Sequence, residues 1–187
     1  LERGASIVLM SHLGRPKGVG FEASGSLAPV AARLGELLGQ EIALAGDVSG
    51  DSARAVVAEL QPGQVALLEN VRFDSRETSK DEAQRQELAA EWAAMGDVYV
   101  SDGFGVVHRK QASVTDLAEL LPNAAGLLVE KEVKSFSKVL ADPDRPYVVI
   151  LGGSKVSDKL GVIDNLIDSV DRLLIGDALS EGSRKKL

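Results

Sequence analysis

Basic side chains follow four apolar segments of this sequence, which lie at residues 6–10, 65–69, 98–101 and 147–151. In an open α/β sheet, ligands bind beyond the carboxyl ends of the strands, so side chains placed there meet at one edge. Like charges gathered at one edge repel each other unless an anion or a counter-charge is present. The sequence therefore predicts a phosphate or carboxylate site. Its candidate residues are His12, Arg15, Arg72, His108, Arg109, Lys155 and Lys159.

Each candidate also has an ordinary structural interpretation. His12 by itself is typical of a capping or packing residue, and Arg72 by itself of a surface ion pair. Lys155 and Lys159, four residues apart, are equally typical of the solvated face of a helix. Their convergence on one edge of an acidic protein favours the anion site instead. Arginine suits this role because its planar guanidinium grips two oxygens of a phosphate or carboxylate.

Two glycine-rich segments follow predicted strands. GGSKVSDK, at residues 152–159, comes after a strand and opens a helix, where backbone N–H groups and the helix dipole favour an anion. It does not have the GxxxxGK[ST] spacing of a P-loop. GFGVVH, at residues 103–108, has a histidine where the dinucleotide fingerprint requires its third glycine. This mismatch argues against a nicotinamide-dependent dehydrogenase, which is an alternative that titration with NAD would test.

Composition narrows the possible classes of function. The 187 residues are 44% hydrophobic and carry a net charge of −7, which favours a globular protein and disfavours nucleic acid or a membrane as partner. There is no cysteine, so a thiolate metal site and a cysteine nucleophile are excluded. The histidines do not have metal-ligand spacing, and no metal ligand is assigned. With no long apolar run and no secretory signal pattern, we expect a cytoplasmic protein.

Strand-like and helix-like segments alternate along the chain. Further apolar segments lie at residues 42–45 and 173–176, and helical spacing of apolar residues appears at residues 27–38, 52–60 and 80–95. Segments that are apolar throughout are typical of strands buried on both faces of a parallel sheet. The alternation predicts an α/β fold with a doubly wound parallel sheet. A further helix at residues 128–140 is followed by ADPDRP, where we expect a domain boundary.

Four segments in this order, SHLGRP, LLENVRF, SDGFGVVHR and ILGGSKVSDKLGVIDNL, resemble the signature segments of the phosphoglycerate kinase family. The resemblance runs from residue 1 to residue 176. It implies a two-lobed enzyme of glycolysis that transfers a phosphoryl group between 1,3-bisphosphoglycerate and ADP with magnesium. It also implies small-molecule substrates and a monomeric full-length enzyme.

The resemblance assigns roles to the candidate residues. His12, Arg15, Arg72 and Arg109 would hold the triose phosphate. Lys155 would reach the transferred phosphoryl group, so Lys155 and Arg15 are the catalytic candidates. The nucleotide-binding candidates are Lys155, Lys159, Gly152 and Gly153. The family's magnesium ligand lies beyond the matching segments.

The resemblance also implies how the chain is divided. We expect a triose-phosphate-binding lobe at residues 1–127, a hinge helix at 128–141 and the first βαβ unit of a nucleotide lobe at 142–187. Residues 177–187 match nothing expected of the family. The family's first strand precedes the matching segments, so we expect the chain alone to be marginally folded and inactive. A non-catalytic, truncated paralogue that binds triose phosphate is the alternative.

Overall fold

A computed structural model describes residues 1–152 and 157–176, with the backbone alone at residues 157–159. The chain divides into two compact units, Leu1–Glu130 and a second unit that begins at Lys131. Within the described residues no helix is long and apolar enough to cross a membrane. The two units are described separately below.

Parallel strands form the centre of the first unit. Three of them pair in the order β1-β3-β2, and two more, β4 and β5, form a second parallel pair. The strands are β1 Ile7–Leu9, β2 Ala43–Leu44, β3 Val65–Leu67, β4 Tyr99–Ser101 and β5 Asn123–Ala125. The helices are α1 Ala28–Leu38, α2 Asp51–Ala58, α3 Glu82–Ala93 and α4 Leu117–Leu120. The expected α/β class with a parallel sheet is confirmed.

Two hydrophobic clusters lie on opposite faces of the strand β3. Leu67 belongs to a cluster with Leu27 and Ala31 near α1, whereas the next residue, Leu68, packs with residues of α2 and α3. Successive side chains of a strand point to opposite faces, so helices cover the sheet on both sides. Every residue of β3 is buried. This doubly covered strand fixes the position of the polar residues that follow it.

The second unit contains a βαβ arrangement. α5 Leu127–Ala141 runs into this unit, and it is followed by β6 Val148–Leu151, α6 Ser157–Leu166 and β7 Arg172–Ile175. β6 and β7 are parallel. Exposed and half-buried residues alternate along β6, and Ile150 is 74% exposed. Burial on both faces, which is typical of strands that are apolar throughout, is therefore not reached in β6 or in β7, where three of four residues are exposed. A single βαβ unit is too small to cover both faces of its sheet.

One strand was not predicted from the sequence. β5 has the sequence NAA and lacks the β-branched and aromatic residues that favour strands. It is a strand because Asn123, Ala124 and Ala125 pair with β4. Tertiary pairing therefore overrides local preference here.

Candidate anion-binding site

The loop that follows β1 carries two of the predicted residues and is fixed by residues that follow β3. This β1 loop comprises residues 11–18 and includes His12 and Arg15. The Asn70 side chain donates from Nδ2 to the carbonyl oxygens of Leu13 and Gly25, at 2.8 Å in both cases. Arg72 donates from Nη1 to the carbonyl oxygen of Gly14 at 2.8 Å. Side chains that lie far along the chain thus fix the backbone that presents His12 and Arg15.

Asn70 is itself held by a buried carboxylate. Glu69 accepts hydrogen bonds from the backbone N–H of Asn70 at 2.8 Å, from that of Leu27 at 2.7 Å and from the Ser26 hydroxyl at 2.7 Å. Asn70 accepts from the N–H of Arg72 at 3.1 Å and thereby caps the short 3-10 turn Val71–Phe73. The sequence ENVRF therefore forms one hydrogen-bonded unit directly beyond β3.

The loop that follows β4 carries the fourth predicted residue, Arg109. This β4 loop comprises residues 102–111 and contains the 3-10 turn Phe104–Val106. Arg109 donates its backbone N–H to the carbonyl oxygen of Val106 at 2.9 Å. At the start of the loop, Asp102 accepts from the N–H groups of Leu128 and Val129 at 2.8 and 3.0 Å, so it caps the first turn of α5.

These loops and the turns after β3 line one open cleft of about 700 Å³. His12, Arg15, Arg72 and Arg109, the four residues predicted to hold a triose phosphate, all line it. The other residues lining the cleft are Pro16, Lys17, Gly18, Asp74, Ser75, Thr78, Gly105, Val106 and Gln111. Four of the lining side chains are Arg or Lys and one is a carboxylate, so the cleft has an excess of positive charge.

The basic side chains are close enough to alter each other's protonation. Burial and the positive charges of Arg72 and Arg109 lower the pKa of His12. Burial and the charges of Arg109 and Arg15 also lower the pKa of Arg72, against the opposing effect of the Glu77 carboxylate. The four side chains therefore form one cluster. An anion placed among them would relieve their mutual repulsion.

The carboxylate that lines the cleft is already paired. Asp74 accepts from Arg76 Nη2 at 2.8 Å, and the same guanidinium binds Glu91. Burial alone would raise the pKa of Asp74, but the hydrogen bonds from Arg76 lower it. Asp74 therefore offers little compensation to the arginines of the cleft.

Sequence reasoning missed several residues that line or support the cleft, and it included one residue that does not line it. Lys17 lines the cleft two residues after Arg15, and its place in the motif was the available signal. Asn70, Glu69 and Glu77 act from behind the loops, and nothing local in the sequence indicates their contacts. His108 does not line the cleft.

The nucleotide-binding candidates fall mostly outside what the structure describes. Lys155 and Gly153 lie outside the described residues. Lys159 is in α6, where only its backbone is described, and Gly152 directly follows β6. These assignments remain predictions.

The dinucleotide alternative finds little support in the geometry of GFGVVH. The segment forms a 3-10 turn of three residues, Phe104–Val106, and the next helical segment begins only at Ala112. The dinucleotide fingerprint needs a helix N-terminus directly after the glycines to receive the pyrophosphate. That element is not formed here.

Fold and cleft together define an α/β protein with a cationic ligand site at the carboxyl ends of its strands. The sequence profile of the phosphoglycerate kinase family matches residues 1–181. The chain belongs to the phosphoglycerate kinase family.

Curated relatives agree with this assignment. The phosphoglycerate kinase of Bifidobacterium adolescentis is 59% identical over 179 residues, which are 96% of this chain and 44% of the relative. That of Streptomyces griseus is 57% identical over 179 residues, again 96% of this chain and 44% of the relative. The chain thus spans less than half the length of these relatives.

Solved structures agree as well. Phosphoglycerate kinase from Coxiella burnetii matches with a TM-score of 0.80 and 37% identity, covering 98% of this chain and 45% of that one. The enzyme from Pyrococcus horikoshii matches with a TM-score of 0.85 and 31% identity, covering 100% and 47%. Both fold and sequence therefore support the same family.

Proposed function

We propose that this chain is part of a phosphoglycerate kinase and supplies its triose-phosphate site. The observation that carries the proposal is the convergence of His12, Arg15, Arg72 and Arg109 on one cleft. The reaction would transfer the phosphoryl group on the acyl oxygen of 1,3-bisphosphoglycerate to a terminal phosphate oxygen of ADP. The bond from phosphorus to the acyl oxygen breaks, a bond to the ADP oxygen forms, and 3-phosphoglycerate and ATP result.

The cleft is suited to such a reaction because phosphoryl transfer depends on positioning and on neutralising charge. Arg72 and Arg109 would grip the phosphate of the triose with their planar guanidiniums. Arg15 would face the carboxyl end, where charge spreads over the transferred group. His12 would take part as a hydrogen-bonding group, and in the free cleft burial and the charges of Arg72 and Arg109 lower its pKa.

The nucleotide side of the reaction is proposed from the family. Lys155 would reach the transferred phosphoryl group, and Lys159 with the N–H groups of Gly152 and Gly153 would hold the nucleotide phosphates. Magnesium would neutralise phosphate charge during transfer. The described residues contain no group of three or more histidines and carboxylates placed to hold a metal ion, so none of them is assigned to magnesium.

The organisation of the enzyme follows from the same proposal. Residues 1–127 form the triose lobe, 128–141 the hinge helix and 142–187 the start of the nucleotide lobe. Closing the hinge would bring both substrates together and exclude water. We propose a cytoplasmic, monomeric enzyme that acts on small molecules, with this chain alone inactive.

A second candidate is a non-catalytic triose-phosphate-binding protein. It is favoured by one observation, which is that the whole cationic cleft is built from residues of the first unit. Such a protein would bind 3-phosphoglycerate without transferring a phosphoryl group. Kinase assays on this chain, and on the chain extended to the length of its relatives, distinguish the two candidates.

Isothermal titration calorimetry with 3-phosphoglycerate tests the site. We expect binding to be saturable and at least tenfold tighter than that of glycerate or sulfate, because only 3-phosphoglycerate offers both anionic ends to the cluster. Equal affinities for the three would show a nonspecific cationic surface, and no binding at all would contradict the proposed function.

A further inference from the structure

A buried carboxylate lies behind the cationic cleft. Glu77 is 1% exposed and belongs to the 3-10 turn Ser75–Thr78, five residues after Arg72. It does not line the cleft. Carboxylates are rarely buried so completely unless their oxygens are satisfied by donors, so the contacts of Glu77 are informative.

Both carboxylate oxygens of Glu77 are bound to one residue, Ser113. Oε2 accepts from the backbone N–H of Ser113 at 2.9 Å, and Oε1 accepts from its hydroxyl at 2.6 Å. The carbonyl oxygen of Ser113 accepts from the Tyr99 hydroxyl at 2.7 Å. Every polar group of Ser113 is therefore engaged, and its position is fixed.

Ser113 lies two residues beyond the end of the β4 loop, which carries Arg109. It lies four residues after Arg109, in the π-helical turn Ala112–Asp116, whose first residue is buried in the hydrophobic core. Glu77 lies in the turn Ser75–Thr78, which is separated by one residue from the turn Val71–Phe73 that carries Arg72. The contact from Glu77 to Ser113 consequently joins the segments that present two arginines of the cleft.

Glu77 is the carboxylate whose negative charge acts on Arg72 from behind the cleft. Asp116 is the other nearby buried carboxylate, and it is paired with Arg85 at 3.0 Å. Burial raises the pKa of Glu77 to about 7, with Asp116 adding to the rise and the Ser113 hydrogen bonds and Arg72 opposing it. The negative charge of Glu77 also contributes to the raised pKa of the Tyr99 phenol, after burial.

We propose that Glu77 is a positioning residue for the anion site: through Ser113 it fixes the Arg109-bearing loop against the segment that carries Arg72. This inference deepens the proposed function and rests on it. We call the contact of Glu77 with Ser113 the clamp. Without the clamp, the guanidiniums of Arg72 and Arg109 lose their fixed separation, and an anion must order the β4 loop as it binds.

The clamp and a simple charge effect predict opposite results for Glu77→Gln. Removing a negative charge behind Arg72 would by itself strengthen anion binding. Weakening the contact with Ser113 weakens anion binding, because glutamine is neutral and has one acceptor oxygen. The second bond then forms only if the Ser113 hydroxyl turns to accept from the amide, and both bonds lose the strength that the carboxylate charge gives them. The sign of the change in affinity therefore identifies the role.

The experiment measures 3-phosphoglycerate affinity and amide hydrogen exchange at pH 8, above the pKa of about 7 of Glu77. The expected result is about tenfold weaker binding for Glu77→Gln and for Glu77→Asp, whose carboxylate keeps the charge but is too short for both bonds. Ser113→Ala, a milder change that leaves the backbone donor, is expected to weaken binding about threefold. In each variant the Ser113 amide should exchange faster than in the parent chain.

Asp47→Asn provides the matched control. Asp47 accepts from the N–H groups of Gly50, Ser52 and Ala53 and caps α2, away from the cleft. Asp47→Asn is expected to lower the free energy of unfolding and to leave the affinity for 3-phosphoglycerate unchanged. If the Glu77 variants behave like Asp47→Asn, or bind more tightly, the positioning role is refuted.

The measurements separate failure of this inference from failure of the proposed function. If the parent chain binds 3-phosphoglycerate and Glu77→Gln binds it equally well, the clamp is refuted and the function stands. If the parent chain does not bind it, the proposed function fails. Hydrogen exchange at Ser113 then still tests whether Glu77 fixes Ser113. Unchanged protection of the Ser113 amide in Glu77→Gln would refute the clamp.

Discussion

The β1 loop and the β4 loop both present arginines to one cleft, but they are anchored differently. The β1 loop is held through its carbonyl oxygens by two side chains, Asn70 and Arg72. The β4 loop is held at its ends, by Asp102 at the start of α5 and by the Glu77 contact to Ser113. Arg72 is thus an anchor and a ligand at once, whereas Arg109 is a ligand whose anchors are other residues.

The largest effect is expected for Arg72→Ala. The substitution removes a charged ligand and frees Gly14 in the β1 loop, so affinity for 3-phosphoglycerate should fall about 100-fold, equivalent to about 3 kcal/mol. Arg109→Ala removes a ligand without freeing a loop, so it should weaken 3-phosphoglycerate binding only about tenfold. Calorimetry checks both.

Arg33→Ala is the matched control for these two variants. Arg33 pairs with Glu36 on the exposed surface of α1, so its removal changes the net charge equally without touching the cleft. Its affinity should stay within about twofold of the parent chain. Equal losses for Arg72→Ala and Arg109→Ala would refute the distinction between the loops.

This difference shows what the sequence can and cannot predict. These four cations could be found because each lies in the loop or turn that follows an apolar strand, at most eight residues after its end, and strand ends meet at one edge of a sheet. They are His12, Arg15, Arg72 and Arg109. The two-sided burial of β3 could be predicted because its residues are all apolar. The strand β5 could not, because its pairing with β4 is a tertiary contact.

The anchors Asn70 and Glu77 could not be predicted, because they act across long stretches of sequence. Asn70 contacts Leu13 across 57 positions, and Glu77 contacts Ser113 across 36. No periodicity or motif spacing connects such residues. Their types are also uninformative, since asparagine and glutamate are common surface residues.

The next largest effect is expected for Asn70→Ala. It leaves the carbonyl oxygens of Leu13 and Gly25 without this donor, which should lower the free energy of unfolding by about 2 kcal/mol and weaken 3-phosphoglycerate binding about tenfold. Urea denaturation and calorimetry measure the two changes.

Asn123→Ala is the control for Asn70→Ala. Asn123 also donates from Nδ2 to two carbonyl oxygens, those of Ala118 and Leu121, but it is exposed and does not line the cleft. Its binding should be unchanged. Should Asn70→Ala lose stability while keeping full affinity, Asn70 does not position the β1 loop for binding.

A moderate loss of stability is expected for Gly126→Ala. A methyl group at this position would collide with the Asp102 carboxylate and displace the cap of α5. We expect about 1–2 kcal/mol of destabilisation in urea. Gly96→Ala, where a methyl group meets no atom within 4 Å, is the control. Equal stability of the two variants would show that Asp102 moves without cost.

The smallest expected effect is a change in the protonation of His12. Burial, Arg72 and Arg109 lower its pKa, so the unfolded chain binds a proton more readily than the folded chain. The corresponding stability is intact above the unfolded value of 6.5 and is lost as the pH falls below it. A bound anion offsets the arginine charges and should raise the pKa of His12 in an NMR titration. A pKa unaffected by saturating 3-phosphoglycerate would place the anion away from His12.

The most direct test of the central claim is chemical-shift mapping of the isotopically labelled chain during titration with 3-phosphoglycerate. The account predicts that the largest shifts fall in the β1 loop, in residues 70–78 and in the β4 loop, and that they disappear in Arg72→Ala. Shifts located mainly elsewhere, or shifts that persist in Arg72→Ala, would contradict the assignment of this cleft as the triose-phosphate site.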